Sequence, residues 1–173
     1  DDCTRRSFLE RAAGLALVSA TGIPPIARER DRILNIGFIG FGIRGRNLCR
    51  WFLKQPDIRV SGICEISDVR RHRALEMVAG GTGVTSCPGY IDFQELLAQP
   101  GLDAVVIATP DHGHAEPAIS ACRAGIHVYC EKPLSHSVAE ARYLTELAQK
   151  KGVVTQMGIQ IHARENLHRV VEI

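Results

Sequence analysis

A carboxylate and an amine, Glu131 and Lys132, directly follow the short apolar run Ile126–Cys130. The β-branched residues of that run favour a strand, which places both side chains at its carboxyl end, where open α/β sheets bind ligands. Pro133 keeps Lys132 out of the helical region. An ammonium held there can stabilise alkoxide character on a reacting oxygen or transfer a proton. Alone, the tripeptide is equally typical of a strand end with solvated charges.

Upstream, Gly40, Gly42 and Gly45 match the pattern GxGxxG. The motif follows an apolar run and opens a helical pattern, which is the context of a dinucleotide-binding turn. Gly40 allows the tight turn, Gly42 lets the backbone approach a pyrophosphate, and Gly45 permits close packing of helix on strand. The helix N-terminus offers N–H groups to the phosphates. The alternative is a glycine-rich turn without a ligand.

An acid is expected about twenty residues after the motif, at the end of the second strand, and Glu65 stands there. A carboxylate at this place accepts hydrogen bonds from ribose hydroxyls and repels a 2′-phosphate. The sequence therefore predicts NAD as the cofactor. NADP remains an alternative because Ser67, Arg70 and Arg71 lie nearby.

Strand and helix patterns alternate along the chain, which predicts an α/β protein with a Rossmann-type, doubly wound parallel sheet. The expected strands are Ile33–Ile39, Ile58–Cys64, Ala104–Ala108, Ile126–Cys130 and Val153–Met157, with a short candidate at Val84–Ser86. The expected helices are Arg44–Gln55, Val69–Ala79, Asp92–Ala98, Glu116–Ala124 and Ser137–Lys151. In the first helix Leu48, Trp51 and Phe52 should face inward, and Gly80–Gly83 should form a loop.

The composition argues against two classes of partner. The chain has 173 residues, 45% of them hydrophobic, with a formal net charge of +2 and no basic stripe interleaved with aromatic residues, so a nucleic-acid partner is not expected. The six cysteines form no CxxC pair and have no metal-ligand spacing with histidine, so no metal site is expected.

The first residues have the order of a twin-arginine export signal. Arg5 and Arg6 precede Phe8 and an apolar, small-residue stretch at Ala12–Ala20. We expect a signal over residues 1–27 and a linker over residues 28–32, and hence a periplasmic or other extracytoplasmic protein. The stretch is too short for a stable membrane span. An amphipathic N-terminal helix is the alternative.

Three motifs together, Gly37–Gly45, Ala108–His114 and Val128–Leu134, have the order and spacing of the Gfo/Idh/MocA oxidoreductases, which the chain resembles from Ile33 to Ile173. The resemblance implies a Rossmann dinucleotide-binding domain over residues 33–160. Residues 161–173 would begin the connection to a C-terminal α/β substrate domain that is absent from this chain. It also implies NAD(P)-dependent hydride transfer at a sugar or polyol hydroxyl, homo-oligomers formed through the missing domain, and a fragment that is inactive alone.

The resemblance assigns roles to single residues as well. Lys132 would be the catalytic lysine, completed by an Asp and a His of the missing domain, and Glu131 would lie beside the nicotinamide ribose. The cofactor-binding residues expected from the motif and the resemblance together are Gly40, Gly42, Ile43, Arg44, Gly45, Glu65, Thr109, Pro110, His114, Glu131, Lys132 and Gln160. His112 and His114 could instead cap the following helix, and His162 and His168 should be surface or interface residues.

Two other functions stay open. Some exported relatives are NAD-dependent glycosidases, which oxidise a sugar transiently, eliminate the aglycone and reduce the product again, and Gly42–Gly45 resembles their motif too. Their strand-end motif commonly lacks the lysine, so Lys132 favours a dehydrogenase. The other alternative is a non-catalytic dinucleotide-binding protein.

Overall fold

A parallel sheet of six strands forms the centre of the part of the chain that the computed structural model describes, residues 33–82 and 87–159. The strands are β1 (Leu34–Ile39), β2 (Ile58–Cys64), β3 (Gly89–Tyr90), β4 (Ala104–Ile107), β5 (His127–Glu131) and β6 (Thr155–Gly158). Their spatial order is β3-β2-β1-β4-β5-β6. The strand order therefore reverses between β1 and β4, which is the switch point where such sheets bind ligands.

Helices connect the strands, as the alternating pattern predicts. They are α1 (Ile43–Phe52), α2 (Asp68–Thr82), α3 (Phe93–Leu97), α4 (Ala115–Arg123) and α5 (Val138–Lys151), with a short 3-10 turn at Asp111–Gly113. Two of these helices have well-defined caps. The Asp92 carboxylate accepts from the N–H of Gln94 at 2.8 Å, and Gly152 ends α5 in the left-handed conformation at φ +66.

Both faces of the sheet are buried, because alternate residues of a central strand enter different halves of the core. Val105 and Ile107 of β4 pack with α3, α4 and α5. Val106, between them, packs with Phe38 and with the buried faces of α1 and α2. This arrangement explains why the strands read as continuous apolar runs rather than as alternating patterns.

Three details of the prediction are wrong. Trp51 is 53% exposed instead of facing inward, and the Arg44 guanidinium lies over its ring at 5.6 Å. The first helix ends at Phe52 rather than at Gln55. Gly80 and Gly81 belong to α2 instead of a loop, and Gly81 lies so close to Leu53 that a Cβ would contact that side chain at 3.1 Å. A packed backbone thus overrides the low helix propensity of glycine.

Other boundaries differ by one or two residues. The strand β5 extends through Glu131, so that this acid belongs to the sheet rather than to the following turn. The last strand begins at Thr155 and ends at Gly158. The candidate strand Val84–Ser86 lies outside the described residues, as do residues 1–32 and Gln160. The neighbour of β2 at the sheet edge is Gly89–Tyr90.

The close approach of α1 to the preceding turn predicts effects of different size for substitutions at two glycines. A Cβ on Gly45 would overlap the Gly40 carbonyl oxygen, whereas no atom lies within 4 Å of a Cβ on Gly42. Gly45→Ala should therefore lower the free energy of unfolding of the full-length protein by about 1–3 kcal/mol, despite a helix-propensity gain of about 1 kcal/mol. Gly42→Ala should change it by less than about 1 kcal/mol. Urea denaturation measures both, and equal effects would contradict the packing argument.

Candidate functional site

The register of the sheet brings four chain positions into one row at its carboxyl edge. Ile39 pairs with Cys64 on one side and with Ile107 on the other, and Ile107 pairs with Cys130. The residues that follow these four are Gly40, Glu65, Ala108 and Glu131. The glycine motif and both predicted acids therefore meet at one edge, across the switch point.

The glycine turn leaves an open surface in front of α1. Gly40 has φ +86, a conformation that L side chains rarely adopt, and a Cβ there would meet the Thr109 nitrogen at 2.7 Å. Gly42 is the N-cap residue of α1, and the space that a Cβ on it would occupy is open. The first turn of α1 contains no acidic residue. The N–H groups of this helix N-terminus can thus face an anion such as a pyrophosphate.

Glu65, just after β2, is buried at 6% exposure and accepts three hydrogen bonds. Its Oε2 accepts from the Phe41 N–H at 2.8 Å, and its Oε1 accepts from the Ser67 N–H at 2.9 Å and from Arg70 Nη2 at 3.0 Å. Burial alone would raise the pKa of Glu65, but the bonds from Arg70, Ser67 and Phe41 outweigh burial and hold the pKa below its ordinary value of 4.5. The carboxylate is therefore ionised and ties the glycine turn to β2.

Glu131, the last residue of β5, is the second buried acid of the edge, at 5% exposure. Its Oε1 accepts from Arg44 Nε at 2.8 Å and from the Tyr129 hydroxyl at 3.2 Å. A Cβ on Gly158, in the neighbouring β6, would overlap the Glu131 carboxylate and the Tyr129 hydroxyl, so a larger residue there would displace these two side chains. Arg44 thereby joins the start of α1 to the end of β5.

Sequence reasoning missed Tyr129 and Gly158 as members of this group. Tyr129 and Glu131 are two residues apart in a strand and so share a face, a periodicity that could have identified the tyrosine. Burial raises the pKa of Tyr129, and so does the charge of Glu131, so the hydroxyl keeps its proton and donates a hydrogen bond to the carboxylate. The role of Gly158 depends on a contact between strands, for which one sequence carries no local signal.

Lys132 directly follows β5 and is exposed. Among the described residues, its ammonium has no hydrogen bond or ion pair, because the adjacent Glu131 carboxylate points to Arg44 instead. Lys132 therefore does not form an ion pair with Glu131. The peptide bond between Lys132 and Pro133 is cis.

The loop after β4 contains Thr109, Pro110 and His114, three residues predicted to contact the cofactor. Thr109 Oγ1 donates to the Gly113 carbonyl at 2.8 Å, which closes the loop. His114 is only 1% exposed, and both its ring nitrogens contact backbone carbonyl oxygens, those of Pro133 and Thr109. In this conformation neither ring nitrogen is available to a cofactor, and the side chain does not cap α4 either.

The remaining predicted residues are placed as follows. Ile43, the first residue of α1, is 76% exposed beside the open turn, and His112 is exposed in the 3-10 turn. Gln160, His162 and His168 lie outside the described residues. The structure thus brings together the glycine turn, both acids, Thr109 and Lys132 at the carboxyl edge of the sheet.

A parallel sheet with a glycine turn at its switch point and a buried acid after the second strand defines a Rossmann-type dinucleotide-binding domain. A family model described as "Oxidoreductase family, NAD-binding Rossmann fold" matches residues 34–159. The chain belongs to this Gfo/Idh/MocA family, and its cofactor is of the NAD type. The open surface at Gly42 and the ionised carboxylate of Glu65 fit such a group.

Individual relatives include both hydrolases and dehydrogenases. The chain is 36% identical over 132 residues to a glycosyl hydrolase family 109 protein of Stenotrophomonas maltophilia strain K279a, a match that covers 73% of this chain and 29% of that protein. It is 33% identical over 139 residues to a myo-inositol 2-dehydrogenase of Thermotoga maritima, covering 80% of this chain and 40% of that enzyme. The chain therefore spans less than half the length of these relatives.

One solved structure shows the shared fold. The scyllo-inositol dehydrogenase of Lactobacillus casei, solved with NAD(H) and scyllo-inositol, superposes with a TM-score of 0.72 over 80% of this chain and 40% of that one. At 18% identity this likeness concerns the fold alone.

Three further findings concern residues 33–82 and 87–159. No group of three or more His, Cys, Asp or Glu side chains in this part is arranged to hold a metal ion. The cysteines described there are free, and burial raises the pKa of the Cys49 and Cys130 thiols to about 12, so they behave as apolar core residues. No helix within these ranges has both the length and the apolarity needed to cross a membrane.

The hydrogen bonds of Glu65 predict a pH-dependent loss of stability. Glu65→Gln should lower the free energy of unfolding at neutral pH by about 1–3 kcal/mol. The reason is that the NH2 group of the glutamine amide would face N–H donors that now donate to the carboxylate. The folded-state pKa of Glu65 is depressed, so its contribution is present above the ordinary value of 4.5 and is lost as pH falls through the folded-state pKa. The difference in the free energy of unfolding between wild type and variant should therefore become smaller in acid.

Urea denaturation of the full-length protein, at pH values from neutral to below 4.5, measures this difference in the free energy of unfolding. The control is Glu146→Gln, which changes an exposed acid of α5 and should have little effect at any pH. A gap that stays constant in acid would show that the charge of Glu65 is not what stabilises the turn.

Proposed function

We propose that the full-length protein is an NAD(P)-dependent oxidoreductase that transfers hydride between the nicotinamide cofactor and a hydroxyl of a sugar or polyol. The observation that carries this proposal is the exposed ammonium of Lys132 at the carboxyl end of β5. The buried acid next to it, Glu131, accepts a hydrogen bond from Arg44 instead. The similarity to an inositol dehydrogenase supports a polyhydroxylated substrate.

The cofactor would lie along the carboxyl edge of the sheet. The turn from Gly40 to Gly45 would hold the pyrophosphate, and Glu65 would accept from the ribose of the adenosine half. Thr109, Pro110 and Glu131 would border the nicotinamide half, beyond the switch point. When bound there, the cofactor supplies the hydride acceptor or donor, and the protein orients it.

Lys132 would act on the substrate oxygen. Negative charge grows on this oxygen as the carbon loses its hydride, and a nearby ammonium stabilises that charge. The amino group of the same side chain can also accept the proton of the substrate hydroxyl or return it. Arg44 contributes indirectly. Because it forms an ion pair with the Glu131 carboxylate, that carboxylate does not pair with the ammonium of Lys132.

The choice between NAD and NADP depends on Glu65 and Arg70 in this proposal. The ionised Glu65 disfavours a 2′-phosphate, which supports NAD. Arg70, whose side chain is 50% exposed, partly compensates this charge through its ion pair with Glu65 and could contact such a phosphate. We therefore propose NAD as the preferred cofactor, with NADP bound more weakly.

A second candidate is an NAD-dependent glycosidase, favoured by the 36% identity to a glycosyl hydrolase family 109 protein. In that reaction the sugar is oxidised transiently, the aglycone is eliminated and the product is reduced again, so no net redox change results. The presence of Lys132 supports the dehydrogenase over this alternative. A non-catalytic nucleotide-binding protein would retain the site but turn over neither class of substrate.

Turnover by the full-length protein distinguishes these functions. With NAD and a panel of sugars, polyols and aryl glycosides, we expect net formation of NADH, read by its absorbance, without release of an aglycone. Lys132→Met should lower kcat by at least about a hundredfold while nucleotide affinity changes little, because transition-state charge is lost and ground-state binding is not. Lys150→Met, an exposed lysine of α5, is the matched control and should behave as wild type.

Three outcomes would contradict the proposal. Aglycone release without net NADH would favour the glycosidase, and nucleotide binding without any turnover would favour the non-catalytic protein. Full turnover by Lys132→Met would refute the role of the lysine.

We also propose that the protein is exported through the twin-arginine pathway and acts as a homo-oligomer outside the cytoplasm. Arg5 and Arg6 ahead of an apolar stretch support the export proposal. Replacing both by lysine should retain the precursor in the cytoplasm, as measured by cell fractionation and immunoblotting. Arg11→Lys, after the pair, is the control, and unchanged export of the double variant would refute the signal.

A further inference from the structure

The two carboxylate oxygens of Glu131 differ in their surroundings. Oε1 accepts from Arg44 Nε at 2.8 Å and from the Tyr129 hydroxyl at 3.2 Å. Oε2 accepts no hydrogen bond from any residue in the described part of the chain. The fully enclosed side-chain atoms without a partner there are Ser61 Oγ and Gln99 Oε1, so Oε2 of Glu131 keeps contact with solvent. One oxygen is thus occupied and the other is open.

The side chains of Arg44, Tyr129 and Glu131 form a closed group. The Arg44 guanidinium lies near enough to the Tyr129 hydroxyl to hydrogen-bond it as well. Because an arginine only donates, the hydroxyl oxygen accepts from Arg44 while its hydrogen points to Glu131. The ring of Tyr129 packs edge to face on Phe52, with 6.3 Å between the ring centroids. The tyrosine hydroxyl is therefore held in place at both ends of its side chain.

Gly158 of β6 leaves the space that this group occupies. A Cβ on it would lie 2.5 Å from Glu131 Oε1 and 2.7 Å from the Tyr129 hydroxyl. The carboxyl carbon of Glu131, at 2.8 Å, is nearer to this Cβ than Oε2 is. The occupied oxygen therefore lies against the backbone of β6, and the open oxygen points away from it.

We propose that Tyr129 is a positioning residue for the cofactor: together with Arg44 it fastens one oxygen of Glu131, so that Oε2 accepts from a hydroxyl of the nicotinamide ribose. A carboxylate that could rotate would lose this freedom on binding, at a cost in affinity. The tyrosine and the arginine fix its orientation before the nucleotide binds. The inference rests on the proposed function, in which Glu131 borders the nicotinamide half of the cofactor.

The test is the nucleotide affinity of the full-length protein, measured by calorimetry with NAD and with ADP. Tyr129→Phe keeps the ring against Phe52 and removes the hydroxyl, so it should weaken NAD binding about three- to tenfold, the equivalent of one hydrogen bond. ADP lacks the nicotinamide ribose, and its affinity should not change. The matched control is Tyr143→Phe, which removes an exposed hydroxyl of α5 that accepts from Arg123 and should leave both affinities as in wild type.

A modified ligand and a second variant identify the atoms involved. An NAD analogue whose nicotinamide ribose lacks its hydroxyl groups should bind wild type more weakly than NAD does. Tyr129→Phe should reduce the affinity for this analogue less than it reduces the affinity for NAD, because the two changes remove parts of one interaction. Gly158→Ala, whose added Cβ would displace the same carboxylate, should weaken NAD binding and leave ADP binding unchanged.

Two results would overturn the role of Tyr129. One is an NAD affinity that Tyr129→Phe leaves unchanged, and the other is an equal loss of affinity for NAD and for either ADP or the analogue, which indicates a general structural effect.

The same measurements separate this role from the proposed reaction. If Tyr129→Phe selectively weakens NAD binding but no substrate of the panel is oxidised, the positioning role stands and the proposed reaction fails. If substrates are oxidised while NAD affinity does not depend on Tyr129, the reaction stands and the positioning role fails.

Discussion

A carboxylate buried at the end of a strand needs a positive partner, and in this protein Arg44 meets that need for Glu131 across the switch point. The ion pair has consequences at both of its ends. It fixes the start of α1, where the glycine turn is open, to the end of β5. It also removes the adjacent acid as a partner for Lys132, whose ammonium remains exposed. The proposed chemistry depends on this division of roles between two neighbouring residues.

Glu65, the second buried acid, likewise connects a strand end to the segment at the glycine turn, in the other half of the site. Glu65 accepts from the Phe41 N–H within the glycine turn, as Glu131 accepts from Arg44 just beyond it. Two strand ends are thereby fastened to one short segment between them. The segment can then present its N–H groups in a fixed direction, which is what preorganised binding of a pyrophosphate requires.

Local patterns were sufficient to predict the elements and the row of residues at the sheet edge. The motif encodes the conformational and packing requirements met by Gly40, Gly42 and Gly45. The parallel register of the strands places Glu65 and Glu131 at equivalent strand ends. Long-range contacts were not predictable in this way. The helical state of Gly81 against Leu53 and the contact of the His114 ring with the Pro133 carbonyl both depend on partners distant in sequence.

The central claim is that one dinucleotide spans the carboxyl edge from Glu65 to Lys132. A crystal structure of the full-length protein grown with NAD and a polyol tests it most directly. We expect the pyrophosphate against the turn at Gly42, and the substrate hydroxyl within hydrogen-bond distance of Lys132 Nζ. A nucleotide bound away from this edge, or a substrate oxygen held without Lys132, would contradict the claim.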